Sequence, residues 1–282
     1  MQKIKETAMH IIFAVCACIS ILAVLVICVY LFAGGAPAIA EIGAADMLFG
    51  TTWKPSSGMY GIFPMIVGSI LVTGIALVIG VPIGLLCAVF MSFYCPKRLY
   101  RFMKPAIDLL AGIPSIVYGF FGLVVIVPLM RELFGGSGKS MLTAGILLGI
   151  MILPTIIKTA EASLNAVPRS YYEGALALGA THERSVFFAC LPAARSGILA
   201  AIILGVGRAV GETMAVSMIA GNQAIMPQSI TSGIRTLTSN ILIEMGYASG
   251  LHREALIATA VVLFVFILII NLCFSVLKMN KD

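Results

Sequence analysis

Residues 11–33 read IIFAVCACISILAVLVICVYLFA, a run without one charged side chain. The hydrocarbon core of a bilayer is about 30 Å thick, and about 20 residues of α-helix cross it, so this run is long enough to span. Further runs of that length lie at about residues 62–93, 107–130, 141–164, 196–220 and 255–277. In lipid every backbone N–H and C=O must be satisfied within its own segment, which leaves helix for each run. The alternating ten-residue pattern of a membrane barrel is absent. The expectation is an all-α integral membrane protein with six transmembrane helices.

Composition agrees. Of 282 residues, 60% are hydrophobic and 11% charged, against roughly 45–50% and about 25% in soluble domains. So few polar residues cannot cover a soluble surface, which excludes a soluble enzyme, a nucleic-acid-binding domain and a disordered chain. The net charge of +6 is clustered beside the apolar runs, as the positive-inside rule requires, so a membrane is the partner it indicates and nucleic acid is not. With the N-terminus inside, twelve Lys and Arg (Lys3, Lys5, Lys97, Arg98, Arg101, Lys104, Lys158, Arg169, Arg184, Arg195, Lys278, Lys281) fall on the cytoplasmic side. Five (Lys54, Arg131, Lys139, Arg235, Arg253) fall outside. Both termini are therefore expected in the cytoplasm.

The first run has Lys3 and Lys5 before it and Ala36-Pro37-Ala38 after it, which imitates a cleaved signal. It is longer than the 7–15 apolar residues of such a signal, so a retained helix is expected. The expected organisation is a first helix and outer loop over 1–61, a core of five further helices over 62–277 with an inside loop at 165–195, and a tail at 278–282. Seven cysteines show no C-x-x-C spacing, and His10, His182 and His252 are scattered. Neither a disulfide framework nor a metal site is indicated.

Gly135-Gly136-Ser137-Gly138-Lys139-Ser140 resembles the end of a phosphate-binding loop. The pattern G-x-x-x-x-G-K-[ST] needs glycine at 133, where Leu133 stands, so a turn is the better reading. A stronger candidate is Gly207-Arg208-Ala209-Val210-Gly211-Glu212-Thr213. A charge in mid-bilayer costs at least about 2.5–3.5 kcal/mol and tends to face a cavity with a partner. At i and i+4, Arg208 and Glu212 share a helical face. Either the pair locks the bundle, or Arg208 belongs to an anion path, since guanidinium offers a planar fork to oxyanions at any cellular pH. Gly207 and Gly211 add a small-xxx-small face for close helix approach. Asp108 is expected to favour a helix start, and Lys158 with Glu161 to form a surface pair.

The inside loop carries Glu173-Gly174-Ala175, then Gly179, then Leu191-Pro192. Two short helices around a glycine turn could dock into a partner's groove, or could simply lie on the membrane surface. This register resembles the EAA motif of ABC-importer permeases: counting from Glu173, glycine stands seventh and Leu-Pro nineteenth and twentieth. Gly174 and Ala189 depart from it by one small residue each. Trp53-Lys54-Pro55, Tyr60-Gly61-Ile62-Phe63-Pro64, Ala111 through Gly119 and Gly207 through Val216 resemble the permeases of phosphate importers. The PstC type is the nearer of its two subunit types and the PstA type the second.

The resemblance implies a type I ABC-importer permease fold and a heterodimer with a PstA-type permease. It further implies two ATPase subunits that use ATP and Mg, an extracytoplasmic phosphate-binding protein, and a multi-pass place in a prokaryotic plasma membrane. This chain would bind no cofactor itself and would not be an enzyme. Arg208, Glu212 and Thr213 would line the substrate path, with Glu212 neutralising Arg208 until phosphate arrives. Glu173, Gly174, Ala175, Gly179, Leu191 and Pro192 would form the ATPase coupling site. A permease for another oxyanion is the alternative. An ion-coupled secondary carrier or an intramembrane enzyme fits less well, because neither explains the register of 165–195.

Overall fold

The computed structural model describes residues 2–279. The expected tail at 278–282, with its Lys281, extends beyond them, and the side chains of Lys3, Lys5 and Lys278 lie outside the description as well. The chain opens with α1 (Gln2–Ile42) and α2 (Ala44–Phe49), then a small hairpin of β1 (Trp53–Lys54) and β2 (Met59–Tyr60) that pairs Trp53 with Tyr60. Next come α3 (Phe63–Val89), α4 (Lys97–Gly112), α5 (Ser115–Phe121), α6 (Val127–Phe134) and α7 (Met141–Asn165). The inside segment holds α8 (Arg169–Ala177), α9 (His182–Ser185) and α10 (Leu191–Ala193). It is followed by α11 (Arg195–Gly211), α12 (Met214–Ile219), α13 (Leu237–Glu244) and α14 (Leu251–Met279).

Among the described residues, five helical stretches are long and apolar enough to cross a membrane: Met9–Ile42, Phe63–Tyr94, Ser115–Phe134, Met141–Asn165 and Leu251–Cys273. A sixth is the pair His182–Ala193 and Arg195–Gly211, bent by 71°. The central helix is α7, with α3 and α11 packed along it. Small residues set those distances. Gly80 and Gly84 of α3 seat Ile152 and Ile156, Gly145 of α7 seats Ile75, and Gly205 of α11 meets Ile156 from the other side. In lipid, where apolar burial supplies no drive between helices, such close backbone approach supplies the packing. By contrast α1 is peripheral. It touches α14 at its outer end, where Gly34 and Gly35 meet Ile257, Ala258 and Val261 and Phe32 stands edge-on to Phe264.

Two expected helices are broken. The run at 107–130 divides at Ile113-Pro114: proline has no N–H to donate, and Ile113 before it is extended (φ −68°, ψ 126°). The upstream piece, α4, is amphipathic and separate from the span that follows. The run at 196–220 divides at Glu212-Thr213, where Glu212 is extended (φ −70°, ψ 121°). The P-loop-like stretch is a turn, with positive φ at Gly135, Gly136 and Gly138. After it, Ser140 caps α7 by accepting the Thr143 N–H.

The expected charge pairs are also rearranged. Lys158 and Glu161 do not neutralise each other; both reach across to α4. Glu161, only 1% exposed, accepts hydrogen bonds from Lys104 Nζ and Tyr100 Oη, each at 2.7 Å. Lys158 meets Asp108 at 2.7 Å, so Asp108 is an inter-helix partner rather than a helix-start residue. The reason is tertiary: α4 lies beside α7 and offers the opposite sign at each site, with partners of good geometry at 2.7 Å.

Candidate functional site at the broken helix

Arg208 stands thirteen residues after Arg195, the first residue of α11. At 1.5 Å per residue this places it about 20 Å along the axis, in the last turn of a helix that is part of a candidate span. Its Nε atom is buried without a hydrogen-bond partner, and among the described residues Arg208 forms no ion pair. The aromatic Tyr118 is an electrostatic neighbour. Its hydroxyl donates to the Leu110 carbonyl at 2.9 Å, across the Pro114 break.

Glu212 does not neutralise Arg208. The helix ends at Gly211, so the i, i+4 face does not exist. The Glu212 carboxylate turns onward instead and accepts the Ala215 N–H at 3.2 Å, capping α12. Glycine at 211 and an unspent carboxylate at 212 favour that exit: glycine is a poor helix continuer, and carboxylates stabilise the N-terminal end of a helix. Thr213 Oγ1 donates to the Gly211 carbonyl at 3.1 Å, and Thr238 at the start of α13 donates to the Glu212 carbonyl at 3.3 Å. These contacts satisfy backbone that the break would otherwise leave bare. Gly207 and Gly211 are exposed, and a Cβ at either would meet nothing among the described residues within 4 Å.

At the inside segment, α8 ends in a turn at Gly179 (φ 85°), where the Ala180 N–H returns to the Ala175 carbonyl at 3.0 Å. Glu173 and Gly174 are exposed on α8, and Leu191-Pro192 begin α10 ahead of the 71° bend. Around them stand Leu178, 91% exposed, and Phe188, 78% exposed, with Tyr171 and Phe187. An exposed apolar surface of this kind suits contact with a protein partner or with the membrane.

The outer end holds a network that sequence reading missed. Glu244 is buried and accepts hydrogen bonds from Trp53 Nε1 (2.8 Å) and Arg235 Nη1 (2.5 Å) and lies 2.8 Å from His252 Nε2. Burial alone would push its carboxyl up, but the bonds from Trp53, His252 and Arg235, with the Arg235 charge, hold it below the usual carboxylate range. No single spacing links residues 53, 235, 244 and 252. Glu161 did carry a signal, being a carboxylate inside an apolar run. Among the described residues no group of His, Cys, Asp and Glu could hold a metal ion.

Comparison with known proteins agrees with this architecture. The chain is 36% identical over 281 residues to the "Probable ABC transporter permease protein YqgH" of Bacillus subtilis, covering 96% of this chain and 91% of that protein. It is 38% identical to the "Phosphate transport system permease protein PstC" of Haemophilus influenzae, covering 78% and 76%. Among solved structures, the inward-facing MetNI methionine ABC transporter aligns with a TM-score of 0.59 at 20% identity, covering 79% of this chain and 94% of that one. That likeness shows the type I permease fold. Residues 80–278 match the family described as "Binding-protein-dependent transport system inner membrane component", and the chain belongs to that family.

Proposed function

We propose that this chain is a transmembrane permease subunit of an ATP-driven importer of inorganic phosphate. The single observation that carries the reading is Arg208: a permanent cation in a candidate spanning helix, without an ion-pair partner among the described residues, beside a broken helix. An uncompensated charge there is expensive, and an oxyanion is the ligand that relieves it. The relatives named for phosphate transport support the same anion. Arg208 would take phosphate oxygens through its fork of donors, with Thr213 adding a hydroxyl. Glu212 would shape the break by capping α12.

The rest of the assembly follows the family's logic. The exposed Gly207 and Gly211 would let a second, PstA-type permease approach closely. Glu173, Gly174, Ala175, Gly179, Leu191 and Pro192 would present the α8–α10 hairpin to a groove on an ATPase dimer. ATP and Mg would belong to those subunits and not to this chain. An extracytoplasmic phosphate-binding protein would deliver substrate at the outer end. Both termini would lie in the cytoplasm, with the chain in a prokaryotic plasma membrane, the inner one where there are two.

The test is initial-rate uptake of radiolabelled phosphate at low concentration, with excess sulfate as competitor, in a host with and without this chain. Deletion should abolish sulfate-resistant uptake. Wild type should restore it, and Arg208→Ala should not. Full uptake by Arg208→Ala would sink the role given to this residue, and unchanged uptake on deletion would sink the phosphate reading.

A further inference from the structure

The contacts between α4 and α7 form a key with crossed signs. On α4 the order is Lys104 then Asp108, one helical turn apart; on α7 it is Lys158 then Glu161. Lys104 meets the buried Glu161 at 2.7 Å, and Asp108 meets Lys158 at 2.7 Å. Opposite charges therefore match in one register only. A slide of one turn would place Lys104 against Lys158, or Asp108 against Glu161, and like charges at such distances repel. Tyr100, bonded to Glu161 at 2.7 Å, extends the lock by another turn. A slide of α4 along α7 is therefore opposed, and movement of the two together is favoured.

Both ends of this lock lead somewhere. Glu161 lies four residues before Asn165, the last residue of α7, from which the chain enters the exposed α8–α10 hairpin. At the other end, Tyr118 Oη donates to the Leu110 carbonyl at 2.9 Å, which braces α5 against the last turns of α4 across Pro114. One residue later Gly119 lies against α12: a Cβ there would stand 2.9 Å from Ala215 Cα and 2.8 Å from Met218 Sδ. Ala215 is also the residue whose N–H caps onto Glu212. The path is contiguous from the root of the hairpin to the break beside Arg208.

We infer that α4 is a transmission arm, in which Lys158, Glu161, Lys104, Asp108 and Tyr118 act as positioning residues that convert movement of the α8–α10 hairpin into movement of the Glu212–Thr213 break. This rests on the transporter reading above and deepens it by naming how the two distant sites communicate. None of these residues needs to touch the transported ion.

The test uses the complete transporter in liposomes, with phosphate uptake and ATP hydrolysis measured together. Asp108→Lys and Lys158→Asp are surface reversals, since Asp108 is half exposed and Lys158 about a third, so the fold should survive either one. Each alone should lower phosphate moved per ATP hydrolysed by about tenfold, the size of a typical coupling energy, while the double exchange should return it to within about threefold of wild type. A purely structural role would instead lower uptake and hydrolysis together, and that result would overturn the inference. So would a wild-type ratio in both single variants.

A second readout needs no transported ion. Spin labels at Ile116 and Ser170, with the native cysteines replaced, should change separation on nucleotide binding in wild type and in the double exchange, but not in the single reversals. Identical changes in all four proteins would overturn the arm. If wild type hydrolyses ATP yet moves no phosphate, the phosphate assignment fails, and the label distances still decide about the arm.

Discussion

Glu161 and Arg208 are two intramembrane charges with opposite fates. Glu161 is fully compensated by a lysine and a tyrosine from the neighbouring helix, whereas Arg208 keeps a buried Nε without a partner. Removing one partner of a buried charge is the costly change, so Lys104→Met should destabilise the protein by about 1–3 kcal/mol, less than a bare carboxylate would because Tyr100 remains. Thermal unfolding of the purified protein in detergent measures it. Arg208→Lys should fold as wild type yet transport poorly, because a point charge does not replace a fork; a thermal midpoint beside an uptake rate separates the two effects. Sequence reading found Arg208 because a charge in an apolar run stands out. It gave Glu161 to Lys158 because local spacing was the only geometry at hand, and the α4 partners lie 57 and 61 positions away.

Elements were legible wherever a run was uniform and illegible wherever a break was encoded by two residues. The spans at α1, α3, α7 and α14 follow from unbroken apolar length. The division at Ile113-Pro114 carries a local signal, since proline disfavours helix in the residue before it. The division at Glu212-Thr213 has only a glycine and a carboxylate to mark it, and these read equally well as a packing face and an ion pair. The contact between α5 and α12 was invisible, because Gly119 reveals its role only when Ala215 lies against it. Gly119→Val should force these helices apart and cost about 1–3 kcal/mol, as overpacking does; denaturant or thermal unfolding tests the figure.

The outer clasp gives a pH prediction. The Glu244 carboxyl is held below its unfolded value near 4.5. It therefore contributes stability above that pH and loses it as pH falls through the lower, folded value. Trp53 is the sole tryptophan and donates to that carboxylate, so its fluorescence should report the clasp opening in acid. Glu244→Gln should abolish this transition.

At the scale of the whole molecule, the apolar residues split between an interior around α7 and large bare faces. One of these is the hairpin surface around Leu178 and Phe188. The pair Leu178→Ser and Phe188→Ser should leave the chain folded, since neither side chain is buried, yet weaken attachment of the ATPase subunits by about a hundredfold, the scale of hot-spot truncation. Co-purification with those subunits is the measurement; retained ATPase would remove this face from the docking site. The class of molecule was readable from composition. The way separate spans touch was not, because contacts between helices far apart in the chain leave no periodic trace.

The meeting of α1 with α14 bears on how the chain is made. Gly35 packs against Ala258 and Val261, so a helix that leaves the ribosome early rests on one made much later. At about 5–20 residues per second, more than 200 residues of synthesis separate them by roughly 10–40 s. During that interval the outer end of α1 can pack against Met47, Trp53 and Met65, but the stretch before it lacks its α14 partners and resides in lipid. Its lack of charge between residues 11 and 33 suits it to wait there, and a nascent chain halted before residue 251 should leave it photo-crosslinking to phospholipid rather than to protein. The docking of α1 on α14 is thus a late event of biogenesis, timed by the order in which the chain is written.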